Sequence, residues 1–139
     1  MVGLVTFVGV AHSWMCDAMD HMNVRHYAAM LDDASFQLLG LVAKDDPLEG
    51  SKLGWADRRI ETDFQHEVSA GTLITIRSQV EEIGRSSIVY HHQMTGSLDG
   101  IVRAACRVVT VRFDLQTRSK VDLSDNLRAN AQALMAGLR

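Results

Sequence analysis

Proline occurs once, at Pro47, and cysteine twice, at Cys16 and Cys106, in a chain of 139 residues. A single proline excludes a proline-rich linker or an extended polyproline segment. The two cysteines form no CxxC pair and are too few for a disulfide scaffold, which favours a reducing compartment and makes cytoplasmic residence the expectation. Neither sign of charge is in large excess. With 14 basic and 17 acidic side chains the formal charge is −3, so no surface is dedicated to a phosphate backbone and no nucleic-acid partner is expected. Long apolar runs are missing as well. Met1 to Val10 is apolar, but it spans only about ten residues, lacks a basic flank and runs straight into polar sequence, so it reads as a buried strand; neither a signal peptide nor a membrane partner is expected. What is present is a composition that folds: 47% hydrophobic and 22% charged residues exclude a disordered chain. The length suits one domain over 1–139 with a substantial core.

After the first strand, a polar stretch from Cys16 to Asn23 precedes a window in which Val24, Tyr27, Ala28, Leu31, Ala34, Ser35, Leu38 and Val42 recur at helical spacing. This predicts one long amphipathic helix that starts at Val24, with Asn23 as N-cap. Gly40, and then Asp45, Asp46, Pro47, Gly50 and Gly54, carry the breakers of a surface loop. Beyond Trp55 the period changes to that of strands. Ile60 to Phe64 is one run; Leu73 to Glu81 alternates Ile74, Ile76, Ser78 and Val80 against Thr75, Arg77, Gln79 and Glu81; Ser86 to Met94 and Ile101 to Phe113 complete a meander. Asp122 or Ser124 caps a short last helix, with Leu127, Ala131, Leu134 and Leu138 on one face and Gly137 near its end. A helix with an apolar stripe and an antiparallel sheet with one dry face are economically combined by wrapping the sheet around the helix, an α+β architecture. Two helices cannot cover all the faces and edges of such a sheet, so a homo-oligomer is expected.

The segment Asp17-Ala18-Met19-Asp20-His21-Met22-Asn23-Val24-Arg25-His26-Tyr27 resembles the D-x-x-G-H-V-N-x-x-x-Y signature of hotdog-fold acyl-CoA thioesterases of the 4-hydroxybenzoyl-CoA thioesterase type. Ala70-Gly71-Thr72, Ile83-Gly84-Arg85-Ser86-Ser87 and Asp99-Gly100 follow in the family's order, so the resemblance covers roughly residues 5 to 120. It implies a hotdog fold: a curled five-stranded antiparallel sheet around one long central helix, here with a short C-terminal helix, assembled as a homodimer or homotetramer. The implied activity is hydrolysis of an acyl-CoA thioester to the free acid and CoA, with no cofactor beyond the CoA of the substrate. The alternative is a non-catalytic acyl-CoA binding or regulatory domain; a hydratase on this fold is a more distant third.

A thioester carbonyl needs a donor where negative charge develops, and the first amides of the Val24 helix are unpaired N–H groups at the positive end of its dipole. Hydrolysis also needs a nucleophile or a base for water, and Asp17 lies in a loop that returns to the helix start. One branch of the family carries its essential carboxylate at this position. His21 matches the family's histidine, where it orients Asp17, binds water or shapes the start of the helix. Plainer readings stand beside these: Asp17 as a loop carboxylate capping backbone amides, His21 as a structural histidine, Asn23 as a plain N-cap and Tyr27 as core, although Asn23 and Tyr27 are also substrate-binding candidates. Asp20 stands where the family has glycine, which makes a positive φ less comfortable and sets a second carboxylate near the first. A second branch places its carboxylate about two turns into the helix, and Asp32 is near that depth. Asp32 and Asp33 read equally as solvated surface acids.

The phosphates and adenine of CoA call for a locally basic rim, for which Arg58, Arg59, Arg85, Ser86 and Ser87 are candidates, each also readable as a solvated strand-end group. Met15, Met19, Met22 and Met30 with Trp14 suit an adaptable apolar acyl pocket, or ordinary packing. No metal is expected: His21 and His26 are five apart, a poor match to one helical face, and His91 and His92 point to opposite faces of a strand. Neither Ser35 nor Ser86-Ser87 sits in a G-x-S-x-G elbow, which disfavours a serine-hydrolase triad.

Overall fold

A computed structural model describes residues 3–48 and 52–135. The expected first residues of the opening strand, Gly50 of the loop, and Gly137 and Leu138 at the chain end lie outside the described residues. The elements are β1 (Leu4–Val10), α1 (Val24–Val42), β2 (Leu53–Phe64), β3 (Leu73–Ile83), β4 (Ser87–Gly96), β5 (Val102–Asp114), β6 (Ser119–Lys120) and α2 (Asp125–Ala133), with a 3-10 turn at Ser13–Met15. The five long strands form one antiparallel sheet in the order β1-β3-β4-β5-β2, and β6, a two-residue strand beyond the five expected, pairs with β5. The sheet curls around α1, and the architecture is the hotdog fold.

α1 begins where its cap dictates. Asn23 Oδ1 accepts from the Arg25 N–H at 3.1 Å, satisfying one of the orphan donors of the first turn. The buried stripe of α1 is Tyr27, Met30, Leu31, Ala34, Ser35, Leu38 and Val42. Two members of the expected stripe fall outside it: Val24 and Ala28 are exposed, and Met30 takes the inward position. Opposite this stripe, Ile74, Ile76 and Val80 of β3 and Ile88, Tyr90 and Met94 of β4 are fully enclosed, and each large aliphatic side chain so buried contributes about 1.5–3 kcal/mol. Ser124, not Asp122, caps α2: its hydroxyl accepts from the Leu127 N–H at 3.1 Å.

β2 is longer than its periodicity predicts, twelve residues from Leu53 instead of a run from Ile60. It is an edge strand paired only with β5 and mostly exposed along its length, so burial imposes no alternation on its first half. Its register slips between Asp57 and Arg59, which sets Arg58 in a bulge.

One buried ion pair ties the loop after α1 to β5. Arg112 NH2 lies 3.3 Å from Asp46 Oδ2, with both side chains almost wholly enclosed, Ser124 Oγ donates to the other Asp46 oxygen at 2.8 Å, and the guanidinium stacks 4.6 Å above the Trp55 ring.

Candidate active site

Residues 15–23 form a narrow ribbon that returns to the start of α1. The Asp17 N–H donates to His21 O at 3.0 Å, Cys16 and Met22 make an antiparallel bridge, and the Asn23 N–H donates to Met15 O at 2.9 Å. At its tip the Asp20 N–H donates to Asp17 O at 3.0 Å, and Asp20 adopts φ 61°. Asp20 stands where the resembled signature has glycine, and it takes up the left-handed conformation that glycine favours. Aspartate is among the few side chains that visit this region at modest cost, because its short polar group bonds locally.

Asp17 is half-buried. Its Oδ1 accepts from the Met19 N–H at 2.9 Å, which is the capping role of a loop carboxylate; Oδ2 has no hydrogen bond among the described residues. At the head of α1 the Arg25 N–H and Nε both donate to Asn23 Oδ1 at 3.1 Å, while the Val24 N–H has no partner among the described residues. Asn23 is therefore occupied as a cap.

His21 makes no hydrogen bond to the Asp17 carboxylate. Its Nε2 faces Glu67 Oε2 at 3.0 Å, its backbone bridges Ser69, and the Met22 N–H donates to Val68 O at 2.7 Å. The loop after β2 thus pins the ribbon against α1. Glu67 carries no sequence signal for this role, since a contact between two irregular loops leaves no periodicity. Tyr27 is core: it is 5% exposed, its ring meets Phe64 edge-on at 5.0 Å, and burial pushes its phenol upward.

Two turns along α1, Asp32 lines a cavity of about 580 Å³ that lies between the second half of the helix, β2 and β4. Phe36 and Leu39 of α1 and Trp55 of β2 supply apolar wall, Asp57 adds a second carboxylate, and Ser35 and Tyr90 complete the polar lining with the loop residues Lys44 and Asp45. Asp33 faces away and lines a second cavity of about 640 Å³ against β1. Behind the first cavity runs a buried polar chain. Ser35 Oγ donates to Leu31 O at 3.1 Å and lies 2.8 Å from His92 Nε2; His92 Nδ1 is 2.5 Å from Ser78 Oγ, and Ser78 Oγ is 2.7 Å from Thr6 Oγ1. Burial depresses the His92 pKa to about 4, with the neighbouring His91 adding to the effect, so the ring is neutral at pH 7. Ser35 occupies a place in the helical stripe and Ser78 and His92 occupy core-facing strand positions; polar side chains in dry registers are the sequence signal that marks this chain.

Tyr90 is fully buried, and burial pushes its phenol far up. The Ser35 hydroxyl beside it works against that shift, yet it is committed to Leu31 and His92, and Tyr90 Oη makes no hydrogen bond.

The basic candidates divide. Arg85 Nε pairs with Asp122 Oδ2 at 3.2 Å and Ser86 Oγ donates to Asp122 Oδ1 at 3.4 Å, so both tie the β3–β4 turn to the segment before α2. The Ser87 carbonyl accepts from the Gly84 N–H at 2.8 Å and closes the turn. Arg59 pairs with Glu61 at 3.0 Å on exposed β2, and Arg58 at the bulge is exposed without an ion pair among the described residues. The methionines divide too: Met22 and Met30 are core and Met15 packs against it, whereas Met19 and Trp14 are largely exposed. Among the described residues no three His, Cys, Asp or Glu side chains gather to hold a metal ion.

The pattern of the thioesterase-like superfamily matches residues 10–131, from the end of β1 into α2. The chain belongs to the thioesterase-like superfamily. Solved structures carry the same fold at low identity. A thioesterase from Thermus thermophilus, complexed with coenzyme A and Zn, is 21% identical with TM-score 0.79 and 96% of each chain covered. A Staphylococcus aureus protein in complex with CoA is 14% identical with TM-score 0.83, covering 96% of this chain and 85% of that one. A 1,4-dihydroxy-2-naphthoyl-CoA thioesterase from Synechocystis is 12% identical with TM-score 0.79, covering 95% and 98%. No curated protein matches the sequence. Among the described residues of this superfamily member, no helix is long and apolar enough to cross a membrane.

Proposed function

We propose that this protein hydrolyses an acyl-CoA thioester to the free acid and CoA, with Asp17 as nucleophile or general base and the Val24 N–H as donor to the developing oxyanion. The observation that carries this reading is the 15–23 ribbon, which folds the turn holding Asp17 back to the head of a nineteen-residue helix whose first N–H is uncommitted. An unpaired amide at the positive end of a helix costs no reorganisation when charge develops on a carbonyl oxygen. As a base, Asp17 takes a proton from water as its oxygen bonds to the acyl carbon; the C–S bond breaks and the proton passes to the departing thiolate. As a nucleophile, Asp17 forms an acyl anhydride that water then hydrolyses. The neighbouring structures in complex with CoA support a CoA ester as substrate.

A second reading moves the carboxylate to Asp32, favoured by its place on the cavity wall. The non-catalytic alternative is disfavoured by Asp20, because the φ of 61° keeps the turn that a glycine would make. Of the basic candidates, Arg58 is the one proposed to meet the CoA phosphates, since Arg59, Arg85 and Ser86 are already bonded.

The exposed edge of β2, with Ile60 and Phe64 more than half exposed, supports pairing with a second copy in a homodimer, and a homotetramer would add a further interface. Two free thiols, Cys16 half-buried and Cys106 buried, support a reducing, cytoplasmic setting. Release of free thiol from short, aromatic and long acyl-CoAs tests the activity. Cleavage that Asp17→Asn abolishes and Asp32→Asn spares is expected; binding without thiol release would make the protein an acyl-CoA binder, and the opposite mutant pattern would move the site to Asp32.

A further inference from the structure

Tyr90 Oη is a hydrogen-bonding group sealed from water with nothing to bond, on the wall of a cavity large enough for a ligand. Leaving such a group unsatisfied costs about 1–3 kcal/mol, so a fold retains one where something else satisfies it. Ser35, next to it on the same wall, has the opposite character. Two proton arrangements fit the buried chain. In one, Thr6 donates to Ser78, Ser78 to His92 Nδ1, His92 Nε2 to Ser35, and Ser35 to Leu31 O. In the other the direction reverses: Ser35 donates to Nε2, Nδ1 to Ser78, Ser78 to Thr6, and Thr6 to Ile76 O at 3.3 Å. Both consume the Ser35 proton inside the protein. In either case Ser35 offers the cavity a lone pair only.

We propose that Tyr90 and Ser35 are specificity-determining residues that select an uncharged hydroxyl on an apolar body, the phenol of Tyr90 donating to its oxygen and Ser35 Oγ accepting its proton. A ketone or ether satisfies Tyr90 and leaves Ser35 without a donor; a hydrocarbon satisfies neither. A carboxylate is turned away by Asp32 and Asp57, which line the same cavity and raise the Tyr90 phenol through their charge. Phe36, Leu39 and Trp55 supply the apolar wall for the body that carries the hydroxyl. That this hydroxyl belongs to the acyl half of the substrate rests on the thioesterase reading; the binding preference itself does not.

The test is therefore a binding measurement that needs no turnover. Cyclohexanol, cyclohexanone and methylcyclohexane are titrated into the full-length protein and followed by NMR. The expected order is alcohol tightest, ketone intermediate and hydrocarbon weakest, with up to about tenfold per hydrogen bond gained. Tyr90→Phe removes a buried hydroxyl that has no partner, so it keeps the fold and brings the alcohol and the ketone down to the hydrocarbon; Ser35→Ala brings the alcohol down to the ketone. Equal affinities for the three probes, no binding of any of them, or discrimination that survives Tyr90→Phe overturns the proposal. Thiol release with flat probe affinities would leave the thioesterase reading standing and this one lost. Probe discrimination without cleavage of any acyl-CoA would do the reverse.

Discussion

Asp46 and Arg112, 66 residues apart, meet 3.3 Å from each other with 1% and 2% of their side chains exposed. The pair joins the loop after α1 to β5, and through Ser124 to the cap of α2. Removing one partner leaves the other charge buried and uncompensated, so Asp46→Ala is expected to cost about 3–5 kcal/mol, read as a lowered urea midpoint with an unchanged slope. A loss below about 1 kcal/mol would mean that water reaches Arg112 and the pair contributes little.

His92 predicts a pH effect of definite sign. Its folded pKa, depressed to about 4, lies below the ordinary 6.5, so the unfolded chain binds more protons between those values. Stability is therefore complete above about pH 6.5 and is lost progressively as pH falls toward 4, by up to roughly 3 kcal/mol. Urea unfolding at a series of pH values checks this, and His92→Gln flattens that part of the profile. The depressed carboxylates of Glu81, held down mainly by its hydrogen bond with His91, and of Asp99, held down by Arg103, work in the same direction below the ordinary carboxylate range. A profile flat between pH 6.5 and 4.5 would contradict the burial of a neutral ring.

Asp20 tests the ribbon's backbone. Because φ is 61°, Asp20→Gly is expected to leave stability within about 1 kcal/mol, whereas the β-branched Asp20→Val costs about 1–2 kcal/mol. Thermal unfolding distinguishes the two. Equal melting temperatures for the valine variant and the parent would show that the turn relaxes to a negative φ.

The fold was legible where a local rule and a global need coincide. Asn23 announces α1 because the cap and the apolar stripe agree, and the alternation of Ile74, Ile76, Ser78 and Val80 is read correctly because one face of β3 is dry. The first half of β2 was not legible, since an exposed edge strand pairs through its backbone and leaves side chains unconstrained. The site is legible to the same degree. The Asp17 ribbon could be anticipated from residues close in sequence, whereas the contact of His21 with Glu67 and the chain from Ser35 through His92 and Ser78 to Thr6 join segments brought together only by the sheet. Arg85 and Ser86 looked free in sequence, and Asp122 pairs with both, because the β3–β4 turn packs beside the segment before α2.

The most direct measurement is single-turnover thiol release from an acyl-CoA that the parent protein cleaves, comparing the parent with Asp17→Asn at saturating protein and with CoA-ester binding measured alongside. The expected result is a rate reduced by at least about a hundredfold with binding retained, the loss for a group that activates the attacking oxygen. An Asp17→Asn protein that releases thiol at the parent rate would contradict the account.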